Sequence, residues 1–440
     1  MRIPGTASTA RRASRAASVL GLCVALVGGC GVAGDLDPTD VDDAGRGITL
    51  TIGDFGTFGY KEAGLFNEYM TTHPGITVVE HNVQDENTYY PAFQTRLAAG
   101  RGLDDIQAVE VGRIAQVVKQ VDKFADLGNA EGVDRSAFLP WKWQQATTPD
   151  GRTVALGTDI GPTAVCYRKD LFQQAGLPTD RDEVGRLWQG DWARFVEVGR
   201  RFQAAAPAGT HFIDSTSGLF NAVVASGSPQ YDDDGGRLDY RNSPGVRSAW
   251  DLSLSAAQAG ISAGLKQFDP QWNQAFANSE FATVACPSWM TAIISGKSGE
   301  ANRGKWDIAA APAAGNWGGS FLSVPRAGRH RKEAEALAVW LTAPEQQAKV
   351  FVRAGNLPSN ATALDRPEVQ HAALDYFGDA PTGRIYVAAA TSVQPAVIGE
   401  WDGLVKNCLT NTLLSVEQHR RPAAEAWSAA TREIDGKVGD

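Results

Sequence analysis

Three tryptophans set among small and polar residues are the side chains in this chain best suited to recognise a ligand. Trp289 follows Cys286-Pro287-Ser288, Trp317 stands in Asn316-Trp317-Gly318-Gly319, and Trp272 lies in Pro270-Gln271-Trp272-Asn273. An indole beside Gly, Pro, Asn or Ser at a strand end is placed to show a flat apolar face. Such a face stacks on the axial C–H groups of a pyranose ring, while the ring's hydroxyls need planar donors and acceptors. Glu110, Asp159, Asn316 and Asn356 supply those groups at loop positions, and Phe55 and Phe58 add rings in a glycine-rich loop. Each residue also has a plainer reading. The tryptophans can be core, and Asp159 can cap the turn at Gly161-Pro162, with Glu110 open to a similar structural role. Trp192, Trp250, Trp340 and Trp427 lie in amphipathic segments and are expected in the core.

Other chemistries find little support. Histidines 73, 81, 211, 330, 371 and 419 form no metal-ligand spacing. There is no phosphate-binding Walker loop, no GxGxxG joining a strand to a helix, and no GxSxG. Asp232-Asp233-Asp234-Gly235-Gly236 lacks the spacing and terminal Glu of an EF-hand and reads as a solvated hairpin turn. The net charge of −9, without a basic stripe, argues against nucleic acid. The expectation is a binding protein rather than an enzyme, with no cofactor and no metal.

Position is supplied by alternating strands and helices. Ile48–Ile52, Ile76–Glu80 and Ile106–Val111 read as strands, separated by helices that carry Leu65, Phe66, Tyr69 and Met70 and then Phe93 and Leu97. This alternation predicts parallel βαβ units, whose ligands gather at the carboxyl ends of strands. The loop at Phe55–Tyr60 and Glu110 occupy such ends. The stretch Gly157–Leu171 (GTDIGPTAVCYRKDL) turns at Gly161-Pro162 and starts a new strand and helix. It is read as a passage from one α/β unit to another.

The N-terminus is a targeting segment. Arg2, Arg11, Arg12 and Arg15 precede the apolar run Val19–Val27, too short to span a membrane as a helix. Val27-Gly28-Gly29-Cys30 resembles a bacterial lipobox, in which Cys30 takes the lipid, and the acidic stretch Gly31–Gly47 reads as a tether. Export permits disulfides. Beyond Cys23 and Cys30, three cysteines remain: 166, 286 and 408. Cys166 and Cys286 lie in apolar strand-like runs and are placed to pair in one sheet; a Cys286–Cys408 bond and three buried thiols are the other readings.

Taken together, these features resemble the extracellular solute-binding proteins of family 1, the capture subunits of carbohydrate ABC importers. The lipobox and tether, the Phe55–Tyr60 loop, Tyr167-Arg168-Lys169-Asp170-Leu171-Phe172 with Ala175-Gly176-Leu177-Pro178, Pro287-Ser288-Trp289 and the Asn316–Ser320 loop carry the resemblance. It is strongest to actinobacterial lipoproteins for cellobiose, xylobiose or similar sugars. It implies an α/β, two-lobe periplasmic-binding-protein-like fold whose hinge is crossed more than once. The expected arrangement is a signal peptide over 1–30, a tether over 31–47, one lobe of 48–160 and 318–388, and another of 161–317 and 389–440. The resemblance further implies a monomer anchored on the outer face of the cell membrane, closing on an oligosaccharide and docking to a permease. A secreted glycoside hydrolase using Glu110 and Asp159, or a sensor-type sugar-binding protein, is the alternative.

Overall fold

Eleven strands carry the architecture of the computed structural model, which describes residues 47–227, 230–233 and 235–439. They are β1 Ile48–Phe55, β2 Ile76–Val83, β3 Ile106–Glu110, β4 Ala155–Gly157, β5 Asp159–Ile160, β6 Thr163–Arg168, β7 His211–Ile213, β8 Phe281–Pro287, β9 Trp306–Ala310, β10 Ser320–Ser323 and β11 Leu357–Pro358. The signal segment, Cys30 and the tether up to residue 46 lie outside the described residues, as does Asp234.

The first sheet has the order β2-β1-β3-β10-β4. β1 pairs in parallel with β2 along its whole length, from Ile48 opposite Ile76 to Phe55 opposite Val83, and with β3 at Ile52 and Gly53. The expected βαβ units are therefore present. The helices between these strands, Leu65–Thr72 and Glu86–Ala99, bury Leu65, Phe66 and Tyr69, and Phe93 and Leu97. Gly100, with φ 63°, ends the second of them in a left-handed cap.

The second sheet has the order β7-β8-β6-β9. Here β6 is antiparallel to both β8 and β9. Cys166 on β6 and Cys286 on β8 share a face and are joined by a disulfide that spans 120 residues of sequence, and Cys408 is free and buried. Both faces of this sheet are covered. Tyr167, Phe172, Trp188 and Phe212 pack on one side, and Trp272, Phe276, Trp306 and Phe351 on the other.

The chain passes from the first sheet to the second between β4 and β6, and returns between β9 and β10. The two passages lie side by side. Gly161 N–H donates to Asn316 Oδ1 at 2.9 Å, and Trp317 N–H donates to Gly161 O at 2.8 Å. A Cβ on Gly161 would stand 1.9 Å from the Trp317 carbonyl oxygen, so only glycine lets the strands approach this closely. The small pair β5 and β11 lies at the same place, with Asp159 opposite Pro358.

Among the expected core tryptophans, Trp192 and Trp250 are buried, and Trp340 and Trp427 pack partly buried against hydrophobic clusters. No described helix is long and apolar enough to cross a membrane. No three His, Cys, Asp or Glu side chains converge as a metal site among the described residues.

Candidate ligand-binding cleft

The carboxyl ends of β1 and β3 open into a cleft of about 1420 Å³, part of it open to solvent. Phe55 ends β1, and Phe58 follows in the loop. Their rings meet edge to face with centroids 5.3 Å apart. The loop is tied down by Asn356, whose Nδ2 donates to Thr57 O at 2.9 Å and Phe58 O at 3.2 Å. Asn356 Oδ1 is buried and has no partner among the described residues, although its residue lines the cleft. A ligand hydroxyl can satisfy that acceptor.

Trp289 lies directly after β8, and Trp317 in the passage back to β10. Both line the cleft. Their rings are edge to face at 5.7 Å and 77°, and Trp289 Nε1 donates to Trp317 O at 3.1 Å. Gly318 and Gly319, with φ 88° and 97°, carry the chain through this corner, and a Cβ on Gly319 would stand 2.6 Å from Asp159 O.

Two carboxylates border the same space. Glu110 caps the short helical turn after β3, its Oε2 accepting from Gly112 N–H at 2.7 Å, while Lys406 Nζ stands 3.7 Å from its Oε1. Asp159 is buried. It does not cap the Gly161-Pro162 turn; its Oδ1 accepts from Ser320 N–H at 2.8 Å and from Thr158 Oγ1 at 2.7 Å, which ties the two passages together. Burial raises the Asp159 carboxyl above the usual carboxylate range, against the pull of Lys142. Lys142 itself is fully buried, with Nζ 3.7 Å from the centroid of the Phe321 ring and no hydrogen-bond partner among the described residues. Burial pushes its ammonium down to about 8, opposed by Asp159 and Glu110.

Two expected residues stand elsewhere. Trp272 is not on the cleft wall. Asp269-Pro270 begins a helix, Pro270–Asn278, instead of a loop, with proline in the first turn where its missing N–H costs nothing. That helix turns Trp272 into the core at 0% exposure, where Nε1 donates to Asp214 Oδ2 at 2.7 Å. Asn316 holds the passage, its Nδ2 donating to Gly318 O at 3.0 Å, and lines a smaller adjoining cavity instead of the main cleft.

Other cleft residues were not singled out from the sequence. Phe268, four residues before Trp272, is 36% exposed and held at φ 70°. Its ring lies 5.2 Å from Trp272 behind it and 6.3 Å from Trp289. An exposed aromatic in left-handed backbone is strained, and this one borders the cleft. The helix Asp402–Glu417 turns Lys406, Asn407, Thr410, Asn411 and Leu414 to the cleft, while Val405, Cys408, Leu409 and Leu413 face the core. This stripe has helical spacing and was legible as the polar side of an amphipathic helix. Asn407 Nδ2 reaches Asn87 Oδ1 at 3.1 Å, joining this helix to the one that follows β2.

Such an arrangement defines a two-lobe binding protein: two sheets, adjacent passages between them, and an aromatic-lined cleft beside those passages. The chain belongs to the bacterial extracellular solute-binding protein family, whose sequence profile matches residues 64–375. A crystal structure of an extracellular solute-binding protein of family 1 is 38% identical, covers 88% of this chain and 99% of its own, and superposes with a TM-score of 0.76. The ABC transporter associated binding protein from B. animalis subsp. lactis Bl-04, solved with β-1,6-galactobiose, shares the fold at TM-score 0.77 and 17% identity, over 89% of this chain and 98% of that one. A lactose-binding protein of Rhizobium radiobacter is 26% identical over 62% of this chain. That match spans 64% of the relative, less than two thirds of its length.

Proposed function

We propose that this protein captures a neutral oligosaccharide between its two lobes and delivers it to the membrane subunits of an ABC importer. The observation that carries this reading is the cleft wall itself. Phe55 and Phe58 stand at the end of one sheet, Trp289 and Trp317 at the edge of the other, and amide, hydroxyl and carboxylate groups lie between them. Rings supply stacking faces and the amides supply oriented donors and acceptors. A sugar that touches both lobes only when they are closed shifts the population toward closure by its differential affinity. The lactose and galactobiose named for two similar proteins support the ligand class; cellobiose or xylobiose is the first pair to try.

The lobes we propose are the first sheet with residues 48–160 and the return from 318, and the second sheet with 161–317 and the C-terminal helices. Leu357, Leu364, Phe377 and Tyr386 pack in the cluster that holds Cys166 and Cys286, which favours a crossing into the second lobe well before residue 388. Export and anchoring through Cys30, on the outer face of the membrane, complete the proposal.

A thermal-shift panel of neutral di- to tetrasaccharides tests the reading, because a ligand that binds only the native state stabilises it by mass action. At least one sugar raises Tm by several degrees; a panel with no shift rejects the carbohydrate ligand. A glycosidase would use Glu110 and Asp159 as its carboxylate pair. Against that role, Glu110 accepts from Gly112 and faces Lys406, and Asp159 is bonded to Ser320 and Thr158. Release of free sugar from any of the panel by the purified protein would reverse this preference.

A further inference from the structure

Beside the main cleft lies a second cavity of about 640 Å³, much of it open to solvent. Glu110, Asn221, Trp317, Gly318 and Lys406 line both spaces, so the two meet at Trp317. The second cavity is bounded by Trp141 and Gln145 of the helix Pro140–Gln145, by Asn221 of the helix Thr216–Ala225, by Tyr231, and by residues 393–398, which form neither helix nor strand.

Among its lining side chains, three buried oxygens lack a hydrogen-bond partner among the described residues: Gln145 Oε1, Asn221 Oδ1 and Asp402 Oδ1. A buried acceptor left unmatched is destabilising, so such groups imply a donor brought by something else. The walls add the rings of Trp141, Trp317 and Tyr231. The charges present largely answer each other: Lys406 faces Glu110 at 3.7 Å, and burial with the neighbouring Asp232 favours the neutral form of Asp402.

We propose that the cleft continues past Trp317 into this cavity, and that the cavity takes an additional pyranose ring of a neutral oligosaccharide. The ring's hydroxyls donate to Gln145 Oε1 and Asn221 Oδ1, and its face lies along Trp141. This rests on the carbohydrate reading above and deepens it: the preferred ligand is then a trisaccharide or longer.

The test is calorimetric titration of the full mature chain with cello-, xylo- and galacto-oligosaccharides of two to five units. Affinity rises at least tenfold between the disaccharide and the tri- or tetrasaccharide of the series that binds. Gln145→Ala weakens the tetrasaccharide at least tenfold more than the disaccharide. Trp141→Ala does the same, and serves if the Gln145 variant has a lowered Tm. Equal affinity at every length, or variants that weaken all lengths alike, overturns the second subsite while leaving the sugar reading standing. Absence of binding by any series overturns both.

Discussion

The indole of Trp289 donates through Nε1 to the backbone carbonyl of Trp317 at 3.1 Å, and the two rings stand edge to face at 5.7 Å. One residue ends a strand of the second sheet and the other lies in the passage back to the first. The contact therefore fixes the angle between an aromatic face and the passage between sheets. The Trp317 carbonyl is shared in this packing, since it is also the atom that excludes any side chain at Gly161.

Because both indoles line the cleft, intrinsic fluorescence should report occupancy. A bound sugar excludes water from Trp289 and Trp317 and shifts their emission saturably. Trp289→Phe is expected to remove a large part of that change, while a signal of full size in the variant would place the reporter elsewhere.

Trp272→Phe is expected to act on stability. The substitution keeps the ring volume approximately but deletes the donor to Asp214 Oδ2, which retains Gln267 Nε2 at 2.8 Å. Loss of one buried hydrogen bond to a carboxyl costs about 1–3 kcal/mol. Burial already raises Asp214 to about 6, and a missing donor raises it further, so the loss of Tm should be larger at pH 8 than at pH 5. Ligand affinity should stay within twofold; a tenfold fall would return Trp272 to the site.

The disulfide between Cys166 and Cys286 closes a loop of 120 residues. The entropy lost by the unfolded chain makes such a link worth about 2–5 kcal/mol. Cys166→Ala with Cys286→Ala, or reduction of the native protein, should lower the denaturation midpoint without loss of fold. An unchanged midpoint would mean the bond contributes nothing to stability.

A pH effect should come from Glu417. It accepts from Ser262 Oγ at 2.7 Å and Thr216 N–H at 3.0 Å, yet burial raises it to about 7. A folded-state value above the ordinary carboxylate range means that the folded protein holds the proton more tightly. The stability this confers is complete below about pH 4 and is lost as pH rises through 7. Tm is thus expected to fall between pH 5 and pH 8, and Glu417→Gln should flatten the slope. A variant with the full slope would assign the effect to other groups.

Much of this architecture was written in local pattern. The run of β-branched residues in β1, the helix faces before β2 and β3, and the Gly161-Pro162 turn all obey short-range rules, so the βαβ units and the passage between sheets could be read directly. Aromatic residues were harder, because composition gives a ring but not its direction. Trp289 and Trp317 sit among glycine and proline and do face the cleft. Trp272 has similar neighbours, but Pro270 starts a helix there, and Phe268 takes the exposed place. For Asp159 the local sequence fits two roles, and a partner that decides between them, Ser320, lies 161 residues away. The polar stripe from Lys406 to Asn411 has helical period, but its residue types alone do not say that it meets a cleft.

Calorimetric titration of the mature chain with neutral oligosaccharides, run alongside Trp289→Ala, tests the central claim most directly. The account predicts saturable binding of one sugar per chain by at least one series, weakened at least tenfold in a variant that remains folded. That factor corresponds to about 1.4 kcal/mol, within reach of a single lost stacking face. No binding across the panel, or undiminished affinity in Trp289→Ala, would contradict it.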